Sequence, residues 1–211
     1  MVGMVATLAL ALILNGPVEP QLTVHLSIDQ SGGLSALQLQ LMVEEVRKIW
    51  SDARVNVTSA RYGEPLGQNA ESASISLRIL LMPPPVKDGA ERILAWVTPG
   101  AAGGLAPLLF VSLSAVTETV LGTEAFDRPV KKLTRALRDR LIAQAIGRVT
   151  AHELGHYLLN AGHRDRGLMR PRYSAAELVG DWLDPFKVPS AERPVVRQEI
   201  EALARLQASI E

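Results

Sequence analysis

The chain of 211 residues contains no cysteine. This absence excludes disulfides, thiolate metal sites and cysteine nucleophiles. It leaves secretion open, because a domain of this size can be stable without disulfides. Neither sign of charge is in surplus, since 22 basic residues balance 22 acidic ones. Nucleic-acid-binding proteins usually carry a basic surplus, so no nucleic-acid partner is expected.

The N-terminal sequence lacks an apolar run long enough for a stable membrane span. Its apolar stretch, from Val5 to Leu14, is too short to cross a bilayer as a helix but has the length of a signal-peptide core. We therefore expect residues 1–20 to be a signal peptide or a disordered start, and residues 21–211 to form a single domain. A signal peptide would make the protein secreted or periplasmic, whereas without one it would be cytoplasmic.

The hydrophobic pattern predicts an α/β domain. Strands and helices connected in this order favour a right-handed crossover and a mixed sheet packed by helices. Alternating or continuous apolar residues predict strands at 21–28, 53–60, 74–82, 92–98 and 108–116, and helical spacing predicts helices at 34–50, 129–160 and from Ser190 to Gln207.

Histidine is scarce, yet three of the four histidines lie between positions 152 and 163. His152 and His156 are four residues apart on a predicted helix, so both rings lie on one face and can hold one zinc ion (Zn²⁺) at about 2.0–2.1 Å. Glu153 follows the first histidine, as in the HExxH motif, whose glutamate is a general base. A chance match on an exposed helix is the alternative, but two unpaired histidines continuing an apolar stripe would be costly to bury.

A catalytic zinc site requires a third protein ligand and one open position. His163 is the natural candidate, provided that the helix ends before it. Asn160 or Gly162 can adopt the left-handed conformation that ends a helix. Two rivals for the third ligand are Glu177, on a following helix, and Asp165.

The segment "HELGHYLLNAGHRDRGLMRPRYS" resembles the metzincin clan of zinc metallopeptidases, and matrixin-type sequences in particular. It is also similar to poorly characterised bacterial predicted zinc proteases. By this resemblance Met169 lies in a methionine turn beneath the metal. The metzincin pattern has a glycine where this chain has Leu159, and a third histidine where it has Gly162. One inserted residue, with Gly162 in the turn, would reconcile both differences.

The resemblance implies a metzincin-like zincin fold, with a mixed twisted sheet of about five strands, an active-site helix, a methionine turn and a C-terminal helix. It also implies a zinc-dependent endopeptidase, in which Glu153 is the general base for a metal-activated water and the substrate is a peptide or protein. Residues Leu94 to Val97, on the predicted edge strand, would pair with an extended substrate. The alternative is a zinc-binding protein of the same fold without peptidase activity, although a structural site has no need of Glu153.

Overall fold

The computed structural model describes residues 22–29, 33–61, 74–82, 93–99, 105–160 and 162–208. The predicted signal peptide therefore lies outside the described residues. The elements follow in the order β1 (Leu22–Asp29), α1 (Ala36–Ser51), β2 (Val55–Arg61), β3 (Ser74–Met82), β4 (Ala95–Pro99), β5 (Leu105–Ser112), α2 (Leu113–Leu121), β6 (Glu124–Ala125), β7 (Arg128–Pro129), α3 (Arg135–Leu159), α4 (Ala175–Val179) and α5 (Arg193–Ala208).

Five strands form one mixed sheet in the order β2-β1-β3-β5-β4. Strand β1 pairs in parallel with β2 and β3, and β3 pairs in parallel with β5. Strand β4 is antiparallel to β5 and lies at the edge of the sheet. Alternate apolar residues of β1 and β3 are buried, as the period of two predicts: Leu22, Val24, Leu26, Ile28, Ile75, Leu77, Ile79 and Leu81.

Helix α1 packs against the long helix α3 and so fixes the position of the latter. Helix α1 starts with a capping box, because Ser35 and Gln38 each accept a hydrogen bond from the other's backbone N–H. Gly147 permits the close approach of the two helices, since a Cβ there would lie 2.7 Å from the Met42 carbonyl oxygen. Beside this contact the buried Arg148 donates to Glu45 over 2.8 Å.

The structure corrects three of the predicted boundaries. The strand predicted at 108–116 ends at Ser112, whose hydroxyl accepts from the Ala115 N–H and caps α2. The helix predicted to start at residue 129 starts at Arg135, and the residues before it form the β6–β7 hairpin and a 3₁₀ helix. Ser190 begins a 3₁₀ helix and does not cap α5, which starts at Arg193. No helix in the described part of the chain is long and apolar enough to cross a bilayer.

Candidate metal centre and active-site cleft

Helix α3 brings His152 and His156 together near its C-terminal end. Their rings are 4.7 Å apart and nearly perpendicular, and their Nε2 atoms lie 3.1 Å from each other. The four-residue spacing produces this arrangement, because it places both side chains on one face of the helix. The two ring nitrogens are therefore close enough together to contact one ion.

The chain turns back to the metal centre immediately after α3. Asn160 has left-handed backbone angles, φ 43° and ψ 43°, and ends the helix. Of the two residues predicted as candidates for this turn, Asn160 takes it, and the φ of Gly162 lies outside the left-handed region. Asn160 takes the turn because asparagine tolerates this conformation better than most residues. Helix α3 is thus one residue longer than the metzincin pattern implies, but the turn residue still precedes the third histidine by three positions.

His163 joins the two helical histidines. Its ring is 5.4 Å from that of His152 and 4.8 Å from that of His156. One nitrogen from each ring lies within 4.8 Å of the others, and these rings form the only such ligand group among the described residues. The arrangement could hold a metal ion, and the set of three imidazoles suits zinc.

The predicted rival ligands are not brought into this group. Glu177 accepts a hydrogen bond from Arg170 over 2.7 Å and from the backbone N–H of Ser174 over 2.8 Å, where it completes the capping box of α4. Asp165 is exposed and lies outside the histidine cluster.

A backbone carbonyl orients His152. Its Nδ1 lies 2.6 Å from the Leu168 carbonyl oxygen, which accepts only if Nδ1 carries the proton. The Nε2 lone pair is then free for a metal. Burial of the ring lowers the pKa of His152 to about 4, which favours the neutral form that metal binding needs.

The methionine turn packs directly beneath this part of α3. Gly167 starts a 3₁₀ helix, Gly167–Met169, with a φ of 72° that favours glycine. Met169 is buried against Gly155, the fourth residue of the HELGH motif. The tight turn predicted around Met169 is therefore present.

Glu153 lies in a cleft beside the histidines. Glu153 is only 7% exposed, and burial raises its pKa to about 8. A carboxyl group with a pKa near neutrality suits proton transfer in both directions. The cleft has a volume of about 430 Å³ and is lined by Glu153, His152, His163, Val149, the edge-strand residues Ile93, Leu94 and Ala95, and residues 170–173.

Tyr173 contributes a contact that the sequence does not predict. Its single hydroxyl proton is donated to the carbonyl oxygen of Leu168, and the Gly167 carbonyl oxygen, 3.1 Å from the hydroxyl, is a second and more distant acceptor. The sequence offers only one clue to this contact, which is that Tyr173 lies four residues after Met169. The hydroxyl is therefore engaged by the methionine turn.

Together, the mixed sheet, the helix ending in a left-handed residue and the methionine turn define a metzincin-like zincin fold. No protein-family model matches the chain, and no curated protein matches its sequence. Among solved structures it is similar to archaemetzincin from Methanopyrus kandleri, with a TM-score of 0.50 and 14% identity over 88% of this chain and 98% of that chain. This similarity shows the fold, and it lends no support to the matrixin-specific features of the sequence resemblance.

Proposed function

We propose that the protein is a zinc-dependent endopeptidase and that His152, His156 and His163 hold the zinc ion. The observation that carries this proposal is the convergence of three ring nitrogens, all within 4.8 Å of one another, beside a buried glutamate in an open cleft. A bound zinc ion would polarise a carbonyl oxygen and lower the pKa of water to about 7.

Glu153 would carry the proton in the reaction. Its carboxylate accepts a proton from the attacking water and, once protonated, donates it to the amine that leaves. The cleft wall supports this role, because burial raises the pKa of Glu153 and so makes its carboxylate a better proton acceptor than one in water. A site that only stabilised the fold would gain nothing from a buried acid at this position.

The edge strand β4 would align the substrate. Among the described strands β4 is last in the sheet order, so one side of its backbone faces no other described strand. Leu94 and Ala95 also line the cleft. An extended peptide pairing with residues 94–97 would cross the cleft and place one of its carbonyl groups near Glu153. This geometry favours cleavage within a chain over removal of terminal residues.

The test combines zinc analysis with a cleavage assay on an unstructured protein. Glu153→Gln keeps the shape of the side chain but removes the base. It should retain zinc and lose about 100-fold or more of the activity, the range expected for a general base. Glu124→Gln, an exposed carboxylate on β6, is the matched control and should cleave like the wild type.

The alternative function, zinc binding without peptidase activity, has a distinct signature in the same experiment. The wild type and Glu153→Gln would then bind zinc equally, and neither would cleave any substrate above the rate of a zinc-free sample. Equal cleavage by both proteins would also contradict the proposal.

A further inference from the structure

Four side chains form a continuous stack next to the metal centre. The guanidinium carbon of Arg148 lies 4.7 Å from the ring centre of Phe186, and the Phe186 and Tyr173 rings stack with centres 4.6 Å apart. The guanidinium carbon of Arg170 in turn lies 4.7 Å from the ring centre of Tyr173. Guanidinium groups are attracted to aromatic faces, so each layer stabilises its neighbour. The stack links α3 to the segment after the methionine turn.

Glu177 anchors both ends of this stack. Its carboxylate accepts a hydrogen bond from Nη2 of Arg170 over 2.7 Å, and its backbone carbonyl accepts one from Nη1 of Arg148. Arg148 is 1% exposed and is held a second time by Glu45. The two guanidinium groups are therefore fixed, and the rings between them have little freedom to tilt.

The fixed Tyr173 ring determines where its hydroxyl points. That hydroxyl donates to the Leu168 carbonyl oxygen, which is the same atom that accepts the Nδ1 proton of His152. One carbonyl oxygen with two lone pairs can accept both donors. The stack is thus connected to a candidate metal ligand through a single atom.

We propose that Tyr173 is a positioning residue for the metal centre, and that the Arg148–Phe186–Tyr173–Arg170 stack, anchored by Glu177, holds its hydroxyl in place. By fixing the Leu168 carbonyl, Tyr173 keeps the His152 proton on Nδ1 and the Nε2 lone pair directed at the metal. Partners of ligating histidines tune metal affinity in this way. The inference rests on the proposed metal site.

Tyr173→Phe tests this role because it removes the hydroxyl and keeps the ring in the stack. Zinc affinity, measured by competition with a chelator, should fall by about 10-fold or more. Nitrogen NMR of the metal-free protein should show His152 changing from the Nδ1-protonated form to a mixture of tautomers. Thr58→Val is the matched control, since it removes a hydroxyl that contacts His25 over 2.5 Å, outside the metal centre. Its zinc affinity should equal that of the wild type.

A second variant, Glu177→Gln, tests the anchoring of the stack while the Tyr173 hydroxyl is still present. Glutamine can still complete the capping box of α4, but it no longer pairs its charge with Arg170. Zinc affinity should fall in the same direction as in Tyr173→Phe, by a smaller factor, because Arg148 still holds the other end of the stack.

Circular dichroism establishes which variants are folded before zinc affinity is compared. A folded Tyr173→Phe with wild-type zinc affinity and Nδ1-protonated His152 would overturn the role of Tyr173. If Tyr173→Phe does not fold, an unchanged zinc affinity in Glu177→Gln would overturn the proposal. Failure of the wild type to bind zinc would instead remove the metal site itself. Zinc affinity can still be compared if the wild type binds zinc but has no peptidase activity. The proposed peptidase function and the proposed role of Tyr173 can therefore fail separately.

Discussion

Among single residues, Gly155 determines how closely the methionine turn approaches the active-site helix. A Cβ at this position would lie 2.3 Å from the Sδ atom of Met169 and 3.6 Å from a methyl carbon of Leu168. Both side chains are fully buried, so neither can move aside freely. The absence of a side chain at the fourth position of the HELGH motif therefore permits the Leu168 carbonyl to reach His152.

Gly155→Ala should consequently destabilise the protein and weaken zinc binding. Overpacking costs about 1–3 kcal/mol, and alanine recovers about 1 kcal/mol through helix propensity, so a net loss of up to about 2 kcal/mol is expected. Urea unfolding of the metal-free protein measures this loss. Gly162→Ala is the control, because no atom of the described residues other than its chain neighbours lies within 4 Å of a Cβ there, and the φ of Gly162 lies outside the left-handed region. Equal unfolding midpoints for the two variants would contradict the steric argument.

Among the elements, the end of α3 decides whether the third histidine reaches the cluster. Asn160 reverses the chain direction, and His163 follows three residues later. A non-glycine residue with Cβ branching or bulk would resist the positive φ at this position. The geometry of the metal centre therefore depends on a residue that does not contact the metal.

Asn160→Ala should lower the free energy of unfolding by about 1 kcal/mol, since alanine in the left-handed region is strained by roughly 1–2 kcal/mol. Asn160→Gly should match or exceed the wild type in stability, because glycine adopts this conformation without strain. Thermal unfolding in the presence and absence of zinc compares the pair. Zinc should stabilise the alanine variant less than the glycine variant. The same melting temperature for both variants would show that position 160 is not held in this conformation.

Local spacing explains which parts of the site were predictable. The HExxH histidines are related by the helical repeat of one element, so their convergence follows from sequence alone. The boundary between β5 and α2 cannot be predicted in this way, because the apolar run at 108–116 fits a buried strand and a buried helix equally well. Likewise, Asn160 and Gly162 could both end α3, and the packed structure selects the first. The stack of Arg148, Phe186, Tyr173 and Arg170 spans distant positions that no spacing rule connects.

For the whole molecule, two buried groups of the cleft link folding to pH. Burial raises the pKa of Glu153 to about 8, from 4.5 in an unfolded chain. Burial lowers the pKa of His152 to about 4, from 6.5. Between pH 4.5 and 6.5 unfolding takes up a proton at His152 and releases one at Glu153, so the two effects on stability oppose each other. Above pH 6.5 only the Glu153 effect remains, and stability should fall as the pH rises.

The raised pKa of Glu153 should therefore lower the free energy of unfolding of the metal-free wild type by about 1.5 kcal/mol between pH 6.5 and pH 8. Each unit of pKa difference corresponds to about 1.4 kcal/mol. Glu153→Gln cannot ionise and should lack this loss, while His152 behaves alike in both proteins. Urea unfolding of both proteins at the two pH values, after treatment with a chelator, gives the comparison. Saturation with zinc should reduce the loss in the wild type, because a nearby cation favours the carboxylate. If the two metal-free proteins changed by the same amount, Glu153 would be ionised throughout this range in the fold, and burial would not raise its pKa.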